Sequence, residues 1–261
     1  MAAVAAAVGA RAAPYQLITI PISHYCEKVR WALDHLDVPY IERPHMPPFH
    51  RSATKRHGGG AVPVLVTETG PIPDSDAILR YLDQRYPGRL YPAPAAQATA
   101  RDLEALFNDH LGVQTRKWGY SYILTPELLK APWTHGVPFW ERWLFPLIFG
   151  KLEARVRTMM QITPTSGTEA YAEIQRIFAE VERTLADGRR FLLGEHFSAA
   201  DITFAALAAP ILMPPNHHVP PTPLAALPSQ MRANVEAARA SVAGQFGLRL
   251  YRDHRYAQPE A

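Results

Sequence analysis

Strand-like segments are confined to the first third of this chain of 261 residues. Residues 15–20, YQLITI, are rich in β-branched side chains between two prolines and predict a strand. The segments VPYIERPH, AVPVLVTE and GPIPD predict three more, each with proline or glycine close by. Because the pattern after residue 86 is that of helices and loops, the strands can form only one small sheet at the start of the chain.

Two amphipathic helices are predicted among these strands. Apolar residues recur at helical spacing in residues 24–36, and Ser23 stands where an N-cap belongs, with a hydroxyl able to accept from backbone N–H groups. The segment DSDAILRYLDQRY repeats the pattern, with Asp74 or Ser75 as its cap. Taken alone, each of these segments is explained by a capped helix.

The chain divides by composition at PGRLYPAPAA, which begins at residue 87 and has the proline content of a linker. Helices are predicted beyond it over residues 98–111, 170–185, 197–212 and 231–250. The third of these is apolar nearly all round, which is typical of a buried helix, and it opens with the capping pair Ser198 and Asp201. The predicted organisation is an Ala-rich tail at 1–14, an α/β domain at 15–86, a linker at 87–97 and an all-helical domain at 98–261.

The composition excludes several classes of protein. A net charge of +3 without any block of Lys and Arg argues against nucleic acid as a partner. The single cysteine, Cys26, excludes an internal disulfide framework and a Cys-rich metal site, and it fits a reducing compartment. No charge-free apolar run reaches the ~18 residues of a membrane span, so no membrane insertion is predicted. The Ala-rich start lacks the basic opening of a secretory signal, which predicts a cytoplasmic protein and leaves organelle targeting as the alternative.

Histidines cluster in two stretches of the sequence. His45, His50 and His57 share a Pro/Gly-rich segment, and His217 is followed directly by His218. Neither stretch has the spacing of a helical zinc pair or a zinc knuckle. We therefore predict solvated loop histidines and no metal.

Four motifs together resemble the cytosolic glutathione transferase superfamily. They are SHYCEKVRWAL, AVPVLV, DSDAILRYL and FSAADITFA, in the family's order and at sensible spacing. The resemblance covers nearly the whole chain after the first fourteen residues. It implies an α/β thioredoxin-like N-terminal domain followed by an all-α helical domain, glutathione as co-substrate, no metal, and a homodimer.

The resemblance also implies a role for each motif. The Ser23 hydroxyl, at the junction of strand and helix, would donate to the glutathione sulfur. Val62, before a cis Pro63, would pair its backbone with the ligand's cysteinyl amide. Ser75 and the free N–H groups of its helix would receive the γ-glutamyl carboxylate, and Asp74 suits the ligand's ammonium.

The chain departs from the family pattern at two positions of the first motif. His24 stands where many relatives carry proline, and serine, not cysteine, occupies the first position of Ser-x-x-Cys, so the resemblance is to serine-type members of the superfamily. Cys26 is interpreted as a small buried hydrophobe, with a thiolate at the helix N-terminus as the alternative.

A third departure concerns the glycyl end of glutathione. Ala61 stands where some relatives carry a basic or polar side chain, so the contact to the glycyl carboxylate falls to another residue. His50, Arg56 and His57 are the candidates.

These features predict a glutathione transferase, in which bound glutathione thiolate attacks a small hydrophobic electrophile or a peroxide. Two alternatives stay open: a glutathione-dependent thiol reductase that uses Cys26, and a non-catalytic ligand-binding or scaffolding protein on the same fold. Residues 117–145 would wall the pocket for the second substrate, although such an aromatic stretch is more often core. The candidates there are Trp118, Tyr120, Tyr122 and Trp133.

Overall fold

The structure is a computed structural model, and it describes residues 14–91 and 97–256. The predicted tail, apart from Pro14, and residues 92–96 of the predicted linker lie outside the described residues. The first part of the chain forms, in order, β1 (Tyr15–Thr19), α1 (His24–His35), β2 (Tyr40–Pro44), α2 (His50–Lys55), β3 (Val64–Thr67), β4 (Gly70–Pro73) and α3 (Ser75–Arg85).

The four strands form one mixed sheet in the order β2-β1-β3-β4. The second strand runs parallel to β1, whereas β3 is antiparallel to β1 and β4 is antiparallel to β3. Leu17 of β1 lies opposite Leu65 of β3, and both side chains are fully buried. The central position of β1 explains why its sequence is an apolar run and not an alternating one.

Everything that the structure describes after residue 96 is helix, turn or loop, apart from one isolated bridge. The helices are α4 (Gln97–Leu106), a π-helical turn (Phe107–Leu111), α5 (Gly112–Ile123), α6 (Pro126–Trp133), α7 (Phe139–Met159), α8 (Ser166–Leu185), α9 (Ala199–Leu212), a 3-10 turn (Leu224–Ala226), α10 (Ser229–Ala240) and α11 (Val242–His254). The predicted fold class, a thioredoxin-like α/β domain followed by a helical domain, is confirmed.

Helix α9 forms the centre of the helical domain. Nearly every side chain in it is buried, as its apolar sequence predicts. Asp201 accepts hydrogen bonds from the backbone N–H groups of Leu192 and Ser198, both at 2.9 Å, and from the Ser198 hydroxyl at 2.7 Å. The predicted capping pair is confirmed, and it also ties the loop before α9 to the helix.

Several elements differ from the prediction. Residues 231–250 do not form one helix, because the chain breaks at Ser241, whose hydroxyl caps α11 by accepting from Gly244 N at 3.0 Å. Helix α2 lies within the Pro/Gly-rich segment for which solvated loop histidines are predicted. The prediction of solvated loop histidines is wrong for His50, which opens α2, and for His45, whose Nδ1 lies 2.5 Å from the buried Glu141 carboxylate.

One exposed face of α7 is apolar. Phe139, Trp143 and Leu147 recur every four residues and are 85%, 78% and 72% exposed. They stand on the side of the helix opposite Phe145 and Phe149, which are buried in a second core cluster. A helix with apolar residues on both faces has no clear amphipathic period, so its sequence gave little indication of which face is buried.

Candidate active site

A cavity of about 370 Å³ lies between the sheet domain and the helical domain. One wall comes from the β1–α1 turn, from α2 and from the loop before β3. The other wall comes mainly from α5 and α7. Ser23, His24, His50 and Val62 all line it, so the structure brings four of the predicted site residues together.

Ser23 is half-buried at the N-terminus of α1 and faces this cavity. Its backbone is extended, and its hydroxyl oxygen accepts a hydrogen bond from Cys26 N at 3.3 Å, so the predicted N-cap is confirmed. The hydroxyl hydrogen can rotate about the C–O bond to suit a partner in the cavity. A single side chain can therefore cap the helix and serve a ligand.

Cys26 is fully buried and is not among the residues that line the cavity. Burial raises the pKa of its thiol, and this outweighs the lowering effect of Arg30 and of the Ser23 hydroxyl. A buried thiol that stays protonated is a poor nucleophile. This geometry favours the interpretation of Cys26 as a small hydrophobe.

The loop before β3 presents backbone to the cavity. The Val62–Pro63 peptide bond is cis, as the resemblance implies, and Gly60, Ala61 and Val62 line the wall. The carbonyl oxygen of Pro63 accepts from Asp74 N at 3.3 Å, which fixes this loop to the start of α3.

The start of α3 lies next to the site but is not part of the cavity wall. Asp74 is exposed with φ at +76°, and its carboxylate accepts from Asp76 N at 2.8 Å and Ala77 N at 3.2 Å. Two of the N–H groups expected to be free for the ligand are thus already bonded to Asp74. Ser75 is only 4% exposed.

His24 and Tyr25 attach the N-terminus of α1 to the helical domain. The ring Nε2 of His24 lies 2.9 Å from the carbonyl oxygen of Gly112, and the Tyr25 hydroxyl donates to the carbonyl oxygen of Asn108 at 2.6 Å. Burial and the Arg116 guanidinium lower the pKa of His24 to about 3, so its ring is neutral and Nε2–H donates. A Cβ on Gly112 would lie 2.6 Å from the Tyr25 oxygen, so only glycine allows this approach.

A buried polar network fixes the start of α3 against both domains. The Lys28 ammonium, fully buried, bonds Asp76, lies 3.2 Å from Asn108 Oδ1 and lies 3.8 Å from Glu104. Asn108 also donates to both oxygens of Asp76, at 2.8 and 2.9 Å. Because Asp76 follows Ser75 directly, the network holds the helix end at which a ligand carboxylate would arrive.

The C-terminal part of the chain holds the middle of α1. Arg255 is 1% exposed, and its guanidinium donates to Glu27 and to Asp34, each at 2.7 Å. Trp31 donates its indole N–H to the carbonyl oxygen of His254 at 3.1 Å. The helix that carries Ser23 is therefore held at its start, its middle and its end by residues of the helical domain.

His50 is half-buried in the cavity wall. Its Nδ1 is buried and has no hydrogen-bond partner within the described ranges. Burial, with smaller effects from Arg51 and His45, lowers the pKa of His50 to about 4, so the ring is neutral at physiological pH. A neutral imidazole can donate one hydrogen bond to a carboxylate but brings no charge.

The four aromatic candidates for a second-substrate pocket divide into two pairs. Tyr120 and Trp133 line the cavity. Trp118 is buried in the main core with Tyr122 against it, and neither is in the cavity wall. The cavity also contains Arg116, which sequence reasoning missed because a single arginine within a helix has no distinguishing pattern.

In the part of the chain that the structure describes, no three His, Cys, Asp or Glu side chains come together as a metal site would require. Over the same residues, no helix is both long enough and apolar enough to cross a membrane.

Comparison with protein families gives two matches. The model for the glutathione S-transferase N-terminal domain matches residues 17–90, and the model for the C-terminal domain matches residues 164–226. Together they cover just over half of the chain. The chain belongs to the glutathione transferase superfamily. Helices α5, α6 and α7, which wall the cavity on one side, lie between the two matched regions of the chain.

Solved glutathione transferases share the fold of nearly the whole length of this chain. The transferase GSTFuA3 from Phanerochaete chrysosporium is 14% identical with a TM-score of 0.64, covering 96% of this chain and 100% of its own. CsGST63524 of Ceriporiopsis subvermispora, in complex with glutathione, is 20% identical with a TM-score of 0.59, at 95% and 100% coverage. A transferase from Methylobacterium radiotolerans, complexed with glutathione sulfonate, is 19% identical with a TM-score of 0.55, at 95% and 98%. No curated protein matches the chain.

Proposed function

We propose that this protein is a serine-type glutathione transferase in which the Ser23 hydroxyl donates to the sulfur of bound glutathione and stabilises its thiolate. The observation that carries the proposal is the position of Ser23, half-buried at a helix N-terminus in the same wall of the interdomain cavity as Val62 of the cis Val62–Pro63 bond. The thiolate then attacks a small hydrophobic electrophile or a peroxide.

The magnitudes are consistent with this role. A thiol with a pKa near ~8.5 is mostly protonated at neutral pH, and a shift of about two units requires about 2.7 kcal/mol of preference for the thiolate. A hydroxyl bond to a charged acceptor contributes roughly 1.5–3 kcal/mol, and a helix N-terminus adds about 0.3–1 kcal/mol. One serine at the start of α1 is therefore sufficient to lower the pKa of the bound thiol by about two units.

The rest of glutathione would be held by backbone and by polar side chains around Ser23. Val62 would pair with the cysteinyl amide, Asp74 with the ammonium group, and Ser75 with the γ-glutamyl carboxylate. His50, whose Nδ1 has no partner in the described part of the chain, lies in the same cavity and suits the glycyl carboxylate. The solved relatives bound to glutathione or its sulfonate support this choice of ligand. We also propose a cytoplasmic homodimer, as is typical of the family.

The test is a pH titration of the ultraviolet thiolate absorbance of bound glutathione. We expect a thiol pKa roughly two units below ~8.5 in the wild type, and a return towards ~8.5 in Ser23→Ala. Activity at neutral pH should fall roughly 10- to 100-fold, because one hydrogen bond to a charged sulfur is lost.

Ser229→Ala, on the exposed start of α10, serves as the matched control and should leave both the pKa and the activity unchanged. Tight binding with an unshifted pKa in the wild type would indicate a glutathione-binding module without catalysis. Absence of glutathione binding would refute the proposal altogether.

A separate variant tests the reductase alternative. We expect Cys26→Ala to keep transferase activity, because this thiol is fully buried and its pKa is raised, and to cost about 1 kcal/mol or less of stability. The measurement is conjugating activity beside glutathione-dependent disulfide reduction. Loss of either the conjugating or the disulfide-reducing activity in this variant would show that the Cys26 thiol takes part in that reaction.

A further inference from the structure

The charged side chains that line the cavity are all of one sign. Its ionisable residues include Arg51, Arg116 and Arg155, and no Asp or Glu is among the residues that line it. Within the described residues, none of these arginines forms an ion pair with a carboxylate. Guanidinium groups stay charged at any physiological pH, so the cavity keeps an uncompensated positive charge.

Arg116 is the most enclosed of the three. It is half-buried on α5, its guanidinium carbon lies 6.0 Å from the centre of the Tyr25 ring, and its Nε is buried without a hydrogen-bond partner in the described part of the chain. A buried N–H donor without an acceptor costs roughly 1–3 kcal/mol. A ligand that supplies an acceptor at this position would remove that cost.

The same part of the cavity also offers an apolar wall. Tyr120 follows Arg116 by one helical turn, and Ile123, Trp133 and Val156 complete the surface. Arg155, next to Val156 on α7, is exposed at the rim. This side therefore suits a molecule with an apolar body and a negatively charged end.

We propose that the second ligand of this cavity is an apolar organic acid, whose carboxylate or sulfonate is held by Arg116 with Arg155 at the rim. The proposal rests on the proposed function in assigning glutathione to the other wall. In that proposal His50 of this wall, with Arg51 beside it on α2, serves one glutathione carboxylate, and the start of α3, next to the cavity, serves the other. This leaves the two arginines of the helical domain for the second ligand. It narrows the predicted hydrophobic electrophile to an anionic one.

The test compares two probes of nearly equal shape, meta-nitrobenzoate and meta-nitrobenzamide, by calorimetry. The full-length protein is first saturated with S-methylglutathione, which occupies the thiol site and cannot react. We expect the acid to bind roughly 10- to 100-fold more tightly than the amide, the range of one hydrogen-bonded charge. Salt should reduce this ratio, because the interaction is electrostatic.

Variants locate the charge that produces the preference. Arg116→Gln should bring the ratio of the two affinities close to one, whereas Arg116→Lys should keep part of it. Arg142→Gln is the matched control, since Arg142 is exposed on α7, outside the cavity wall, and should leave the ratio unchanged.

Three results would overturn the inference. They are equal affinity for acid and amide in the wild type, an unchanged ratio in Arg116→Gln, and competition between the acid and S-methylglutathione, which would assign the arginines to glutathione. None of them depends on turnover. The thiol titration of wild type and Ser23→Ala decides the proposed function separately, so the two ideas can fail independently.

Turnover gives a second readout when the proposed function holds. With a chloronitrobenzoate and the matching chloronitrobenzamide, the glutathione sulfur bonds to the ring carbon and chloride leaves with the electron pair of the broken bond. After division by the uncatalysed rate of each compound, kcat/KM should favour the acid at least tenfold in the wild type and lose that preference in Arg116→Gln.

Discussion

Replacement of Arg255 by methionine is expected to lower the free energy of unfolding by about 3–5 kcal/mol. The guanidinium of Arg255 bonds Glu27 and Asp34 at 2.7 Å, and Glu27 is fully buried. Without Arg255, the Glu27 carboxylate retains Arg30, at 3.4 Å, as its neighbouring guanidinium. A buried carboxylate that has lost its closest cationic partner destabilises the folded protein more than most single substitutions do.

Chemical denaturation of this variant should be compared with that of Arg252→Met. Arg252 lies three residues earlier, in the last turn of α11, and is exposed, with Asp253 as its ion partner, so its replacement should change stability by about 0.5 kcal/mol or less. Equal effects of the two substitutions would show that the buried contacts of Arg255 contribute little.

The loss of stability in Arg255→Met should also depend on pH. Burial would raise the pKa of Glu27, but the guanidinium of Arg255, with His217 and Arg30, holds it well below the usual value of 4.5. A carboxyl with a lowered pKa in the folded state stabilises the protein above pH 4.5, and that contribution is lost as the pH falls towards the folded pKa. The difference between wild type and variant should therefore be greatest near neutral pH and shrink below pH 4.5.

Replacement of Lys28 by methionine should cost a similar amount, about 3–5 kcal/mol. The Lys28 ammonium is the cation shared by Asp76 and Glu104, and removing it leaves two carboxylates without a positive partner in the network. The proposed function adds a second expectation, that affinity for glutathione falls, because Asp76 lies in the first turn of α3 directly after Ser75, the proposed contact of the γ-glutamyl carboxylate. The measurements are the denaturation midpoint and calorimetric binding of glutathione, with Lys151→Met on the exposed face of α7 as control.

Glu104 supplies the pH signature of this second variant. Burial raises its pKa above 4.5, with Lys28 opposing the shift, so loss of Lys28 should raise it further. A carboxyl with a raised pKa destabilises the fold as the pH rises through that pKa, and the cost disappears once the group is protonated. The difference in free energy of unfolding between the wild type and Lys28→Met should accordingly shrink as the pH falls towards 4.5. The additional substitution Glu104→Gln should restore part of the lost stability at neutral pH. A deficit that is the same at every pH would contradict this account.

The sequence predicted the features that are encoded locally. The strands, the Ser23 cap and the capping pair at Ser198 and Asp201 all depend on residues within a few positions of one another, and the structure has them. Helices α6 and α7 were missed in part because each contains a proline, Pro132 and Pro146, which normally interrupts a helical pattern. The exposed apolar residues of α7 then obscured its buried face.

The contacts that hold the site were beyond sequence reasoning for a different reason. Glu27 and Arg255 are 228 residues apart, and Lys28 and Asn108 are 80 apart, so no local spacing indicates that they meet. Charged residues in an amphipathic helix normally face solvent, yet these charges on α1 point into the interface between the two domains. Only the fold shows which charges of α1 are buried.

The position of α1 has a consequence for how the protein unfolds. Its His24, Tyr25, Lys28 and Trp31 all form hydrogen bonds with residues beyond 97. The boundary predicted at 87–97 therefore separates two domains of different fold, but the stability of each domain depends on the other. Cutting the chain there would leave the sheet domain with buried charges and no partners for them. The two halves should therefore melt together in a single calorimetric transition, with equal calorimetric and van't Hoff enthalpies, as one cooperative unit.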